Sequence, residues 1–375
     1  MTGSFAVVSN GVGYGPAEAL VDHLAARGHR VVAVSHPLTR EQGTRHRVAE
    51  YTGGGLVRER SIRVPLRPPL SFAADPFVPL RLPMVDAWFG FNPLACARGL
   101  LARRRGRTRK TILWSVDFVP RRFGRSPLTR AYDALDRLSC TRADARVELS
   151  EAALAARARH HGLGEDAPPA VVVPMGAWLD RTPKAPEDGV DRRRVVFLGH
   201  LVPRQGPSLL VDAIALLARR GVEVEADVVG DGPLLDGLRE HASELRVEDA
   251  VRFHGFVEDR RAEELLAEAS LAVAPYRPDP DSFTRYADPG KLKAYLAAGL
   301  PTVLTDVPPN AGELARSAGA QLIPFDADAL AHAIEQALGS PARWRERRAD
   351  ALAYARRFDW GTLLDDALAA IRVEA

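Results

Sequence analysis

Short β-branched runs and longer amphipathic segments take turns along the second half of the chain. Runs at Val195–Gly199, Glu223–Gly230, Ala250–Phe253, Leu271–Pro275, Pro301–Leu304 and Ala320–Ile323 predict six strands, and helical spacing fills the gaps. From Pro207 to Arg220, for example, Leu209, Leu210, Ala213, Leu216 and Leu217 form one apolar face, and Gly221 supplies a stop. The first half repeats the alternation more loosely. A strand at Phe5–Val8, a helix at Pro16–Arg27 and a strand at Arg30–Val34 precede strands near Ala87, Ile112, Arg146 and Val172. Strands joined by crossover helices form parallel sheets, so the pattern predicts an α/β chain with two doubly wound, Rossmann-like domains.

Prolines between Val64 and Pro79 cannot serve interior strands or helices, which makes that stretch an ordered loop. The segment from Asp180 to Gly189 is polar and rich in Pro and Gly, unlike its apolar flanks, and reads as a linker. The expected organisation is therefore a first domain over 1–180, a second over 181–358, and a closing helix over 359–375 that returns to the first.

Composition narrows this picture. With 375 residues the chain exceeds one ordinary core, and 46% hydrophobic content excludes a disordered or fibrous class. Cys96 and Cys140 stand alone, with no disulfide or zinc spacing, and suit a reducing compartment. No run approaches the ~20 apolar residues that cross a bilayer, so the expectation is a cytoplasmic protein, at most peripheral to a membrane. Charge is divided between the halves: residues 1–180 hold 26 basic against 16 acidic side chains, and the rest hold 25 against 32. Much of the first excess lies in Arg103–Lys110 with Arg121, Arg122 and Arg125, a solvated surface or one that attracts anionic lipid headgroups or a diphosphate-linked acceptor. Aromatic residues are not interleaved with these charges, which disfavours nucleic acid. His160 and His161 read as a satisfied helix end rather than metal ligands.

Candidate chemistry lies in turns after strands. Between Asn10 and Pro16, Gly11, Gly13 and Gly15 form a loop that can approach an anion, but Pro16 stands where a dinucleotide fingerprint needs Gly. Nicotinamide binding is disfavoured. The run Val195–Gly206 is a strand, a glycine turn and a second glycine at a helix start, with His200, Arg204 and Gln205 as donors. Val228–Leu234 and Val251–Val257 place further turns, with Gly232, Gly255 and Phe256, at strand ends where open α/β sheets bind ligands. Next, Asp288 is expected as a helix N-cap, Pro289 as the first helical residue, and Gly290 and Lys291 in the first turn. Only four of the 51 basic residues are lysines, and a cation there opposes the helix dipole unless an anion joins it. Lys291 is thus either a diphosphate ligand or a solvated surface lysine.

In this order, Phe197–Gly206, Val228–Leu234, Val251–Val257 and Tyr295–Val303 resemble the donor domain of GT-B glycosyltransferases, particularly the retaining glycosyltransferase family 4. Arg27–Val31, Ser115–Pro120, the Gly13–Gly15 loop and the helix from Asp359 are similar more faintly. The resemblance implies a glycosyl transfer from a nucleotide-diphosphate sugar to an unidentified acceptor, with retention, no metal and no cofactor beyond the co-substrate. It assigns the donor to Gly199, His200, Arg204, Gln205, Gly206, Gly232, Gly255, Phe256, Asp288, Gly290 and Lys291. It sets Gly13, Tyr14, Gly15 and Tyr286 towards acceptor or sugar. It also makes Asp117 either a carboxylate facing the transferred sugar or a cap for the turn at Pro120. The family's usual Arg and Lys of the diphosphate clamp are His200 and Gln205 here, with Arg204 and Lys291 as other sources of charge. Its ribose glutamate is Ala294, and its first glutamate falls at Tyr286, Asp279 or Asp281. A nucleotide-sugar epimerase and a noncatalytic binding protein are the alternatives.

Overall fold

The computed structural model describes every residue except 1, 12–14, 39–42, 69, 76–77, 79–81, 121, 280–282 and 375. It divides into two compact units, Met1–Pro174 with Gly361–Ala375, and Met175–Trp360. The polar stretch from Asp180 to Gly189 therefore belongs to the second unit.

The first unit contains β1 (Ser4–Asn10), β2 (Arg30–His36), β3 (Arg45–Thr52), β4 (Gly55–Arg63), β5 (Val85–Gly90), β6 (Thr108–Trp114), β7 (Ala145–Glu148) and β8 (Ala170–Val172). They form one sheet in the order β4-β3-β2-β1-β5-β6-β7-β8. The central strands are continuous apolar runs because helices cover both faces; Phe5, Ala6, Val7 and Val8 are all buried. Two strands were not foreseen. β3 and β4 pair antiparallel through Gly53 and Gly54, which take φ of 62° and 84°, the mirror-turn geometry that a two-residue hairpin favours. β4 is almost wholly exposed and carries Arg58, Arg60 and Arg63, charges that guard an edge strand against further pairing. Its polarity is what hid it from an apolar-run reading.

The second unit contains β9 (Arg194–Leu198), β10 (Glu225–Val229), β11 (Val251–Gly255), β12 (Leu271–Ala274), β13 (Thr302–Thr305) and β14 (Gln321–Ile323). Each overlaps an expected strand. All neighbours run parallel in the order β11-β10-β9-β12-β13-β14, so the order reverses between β9 and β12. That reversal opens a crevice at the carboxyl ends of the strands, the usual ligand position in such sheets. Phe197, Leu210, Ile214, Leu217, Val228, Leu330 and Ile334 build the core beneath it.

Candidate functional site

Three glycine turns meet at the carboxyl edge of the second unit's sheet. Gly199 follows β9 and donates its amide to the Val229 carbonyl at 2.9 Å; Gly230 follows β10 and donates to the Gly255 carbonyl at 2.9 Å. A side chain at Gly230, where φ is 134°, would begin 2.0 Å from the Gly199 carbonyl oxygen. At Gly206 it would begin 1.8 Å from the Pro275 carbonyl, at a φ of 68°. Only glycine lets these backbones close up. The helices Pro207–Arg219 and Gly290–Ala297 both start at this edge without a side-chain cap, which leaves first-turn amides for an outside acceptor.

Lys291 enters the same place. Its Nζ donates to Gln205 Oε1 at 2.7 Å, and it stands 4.3 Å above the Phe197 ring and 4.6 Å from that of Tyr276. It also comes within 3.4 Å of where a Gly199 side chain would start. No carboxylate among the described residues pairs with it. Burial alone lowers its pKa from the ordinary lysine value to about 7. Tyr276 is also buried, and its hydroxyl has no hydrogen-bond partner among the described residues. Tyr295, which the sequence gives only as the start of a shared motif, fixes this geometry: its hydroxyl accepts from the Leu198 amide at 2.8 Å and donates to the Val273 carbonyl at 3.2 Å. An aromatic side chain with a polar tip facing the sheet was the available signal.

Lys293, one residue past Leu292, has the opposite environment. It is 2% exposed, bonds Asp288 Oδ1 at 2.6 Å and lies 4.3 Å over the Phe358 ring. Asp288 also accepts from the Met175 amide at 2.7 Å and from Asn310 Nδ2 at 3.1 Å. The expected cap is therefore corrected: the helix begins at Gly290 with Pro289 as its N-cap, and the Asp288 side chain makes no cap bond. A buried ammonium is a stronger partner for that carboxylate than a helix amide.

His200 is exposed and donates Nδ1–H to the Asp231 carbonyl at 2.7 Å. Arg204 and Gly232 lie half-buried along the same edge. Phe256 is 80% exposed beyond Gly255. Gly290 adjoins Lys291, and Tyr286 lies half-buried just ahead of Asp288.

In the first unit, Asp117 follows β6 and pairs with Arg122. Beneath it, buried Arg157 donates to the Asp117 carbonyl at 3.0 Å and to Ser115 Oγ, while ion-pairing with Asp136 and Glu148. His161 bonds Asp136 at 2.7 Å. The Asp117 loop thus sits on a fixed polar base. Gly15 caps the helix Pro16–Ala26 with its backbone extended. Gly13 and Tyr14, with Arg121 and Asp281, lie outside the described residues.

Residues 192–340 match the family "Glycosyl transferases group 1". The chain is 32% identical over 230 residues to the phosphatidyl-myo-inositol mannosyltransferase of Mycolicibacterium smegmatis, covering 58% of this chain and 54% of that protein. It is 30% identical over 125 residues to the mannosylfructose-phosphate synthase of Agrobacterium fabrum, covering 31% and 26%. The chain spans about half or less of the length of these curated relatives. Among solved structures, Anabaena HepE in complex with UDP superposes with a TM-score of 0.68 at 16% identity, covering 99% of this chain and 100% of that one. Sucrose-phosphate synthase of Thermosynechococcus elongatus gives 0.72 at 17% identity, covering 98% of each. The fold is that of the GT-B glycosyltransferases, and the stretch that matches the group 1 family lies in the second unit.

Proposed function

From a group 1 glycosyltransferase domain within a GT-B fold, we propose that this protein transfers a sugar from a nucleotide-diphosphate sugar to an acceptor, with the donor bound at the carboxyl edge of the second unit's sheet. The observation that carries this reading is the Lys291 amine, enclosed by Phe197, Tyr276 and Gln205, beside the Gly199 turn and without a carboxylate. An unneutralised amine in low dielectric is costly when charged, and a diphosphate is the anion whose arrival would offset that cost. The uncapped amides of the two helices would hold the phosphate oxygens, while Gly232, Gly255 and Phe256 border the space for ribose and base. The leaving diphosphate would be neutralised by Lys291, Arg204 and helix amides, so the chemistry needs no metal at this edge.

Acceptor binding is assigned to the first unit. Its basic excess suits an acceptor with an anionic headgroup, and the M. smegmatis relative is named for phosphatidyl-myo-inositol. Asp117, held by Arg122 over the Arg157 base, would face the transferred sugar. One observation favours a noncatalytic binder instead: the His200 side chain is directed to the Asp231 carbonyl and is not free to replace an arginine of the clamp.

Thermal-shift titration with UDP, GDP and ADP, followed by incubation with sugar nucleotides of the base that binds, tests both readings. Selective stabilisation and release of nucleoside diphosphate support transfer. Selective binding with no turnover over a donor and acceptor panel supports the binder. No stabilisation by any nucleotide removes the donor assignment.

A further inference from the structure

The carboxyl edge of the first unit's sheet holds a polar cluster to which the reading above gives no role. His36 ends β2, His46 lies in the antiparallel neighbour β3, and Asp75 packs against both. The three are 2%, 0% and 2% exposed. The two Nδ1 atoms stand 2.7 Å apart, and Asp75 Oδ1 lies 3.9 Å from His36 Nδ1 and 3.7 Å from His46 Nδ1. The last two distances are too long for hydrogen bonds. Asp75 Oδ1 has no hydrogen-bond partner among the described residues, although it is buried and faces two imidazoles.

We propose that His36 Nδ1, His46 Nδ1 and Asp75 Oδ1 together bind a divalent transition-metal ion of the zinc class. Bonds of about 2.0–2.2 Å at tetrahedral angles set ligand atoms roughly 3.4 Å apart. The observed separations of 2.7, 3.7 and 3.9 Å straddle that spacing, so small side-chain shifts suffice. Two imidazoles and one carboxylate favour zinc, cobalt or copper over calcium and magnesium, which prefer oxygen.

The surroundings orient the carboxylate. Asp75 Oδ2 accepts from Asn10 Nδ2 at 2.8 Å, and Asn10 Oδ1 accepts from Asn92 Nδ2 at 2.7 Å, a relay of the kind that holds metal ligands in place. Arg98 donates to the Asp75 and Val78 carbonyls, and its positive charge opposes a cation at the cluster, so the three ligand atoms must supply the affinity. His46 Nε2 has no partner among the described residues, and the ring is held by the hydrogen bond its Nδ1 shares with His36 Nδ1, which a metal ion would replace. The positions 36, 46 and 75 match no linear metal motif and are joined only by the fold.

Full-length protein, exposed to zinc and dialysed, should hold about one zinc per chain by mass spectrometry, and His46→Ala and Asp75→Asn should lose most of it. His241→Ala, which alters a histidine of the second unit, should retain it. Cobalt in place of zinc should give the visible bands of a tetrahedral site. If the ligand variants fail to fold, chelator-treated wild type titrated with zinc should show a rise in Tm, with about tenfold weaker affinity in Asn10→Ala. Wild type that takes up no zinc and shows no shift overturns the proposal, as does full metal content in folded His46→Ala and Asp75→Asn.

Discussion

The two sheets end in sites of opposite electrical character. At the edge of the second, an amine sits among aromatic rings with one amide oxygen for company; at the edge of the first, a carboxylate oxygen sits between two imidazoles without a hydrogen bond. On the two proposals above, one arrangement would be completed by an anion and the other by a cation. Both sheets are doubly wound, so topology supplies the place for a ligand while the few residues at strand ends decide its sign. The same contrast recurs within one helix: Lys293 has a carboxylate and Lys291 has none.

Removing Lys293 should have the largest effect on stability. Lys293→Ala leaves Asp288 buried without its cation, and chemical denaturation should show a loss of about 3–5 kcal/mol. Near pH 7 Lys291→Ala should show no comparable loss, since the amine it removes is disfavoured by burial when charged; an equal loss in both would erase the distinction between them.

Binding should reverse the ranking. Lys291→Ala should raise the Kd for the preferred nucleoside diphosphate about 30- to 100-fold, roughly 2–3 kcal/mol, as titration calorimetry would show. Any folded Lys293 variant should stay within about threefold of wild type. A dependence on pH is also expected. Because the folded pKa of Lys291 is lowered to about 7 while the unfolded lysine keeps its ordinary value, the unfolded chain binds more protons between those limits. Unliganded wild type should therefore gain stability relative to Lys291→Met as pH rises above about 7, and parallel stability curves would contradict the enclosed amine.

The second sheet was legible because its strands are buried on both faces and read as apolar runs between amphipathic helices. The β3–β4 hairpin was not, although Gly53-Gly54 between alternating residues is a hairpin signal; the arginines of β4 outweighed it. Lys291 stood out by its rarity and position. What surrounds it, Phe197, Gln205 and Tyr276, comes from other segments, and no sequence spacing joins them to it. The partnership of Asp288 with Lys293 is hidden in the sequence, because Asp288 before Pro289 has the form of a local cap and only the fold buries it with an ammonium. The His36, His46 and Asp75 cluster depends on strand pairing and on a loop packed against it, neither of which periodicity reveals.

The most direct test of the donor site is calorimetry of UDP and GDP binding at about pH 8 in two buffers of different ionisation enthalpy, for wild type and Lys291→Met. The amine, mostly neutral when free, should gain a proton as the diphosphate binds, so wild type should take up a substantial fraction of a proton per nucleotide and the variant none. Binding of equal affinity in both proteins, with no proton taken up by either, would contradict the account.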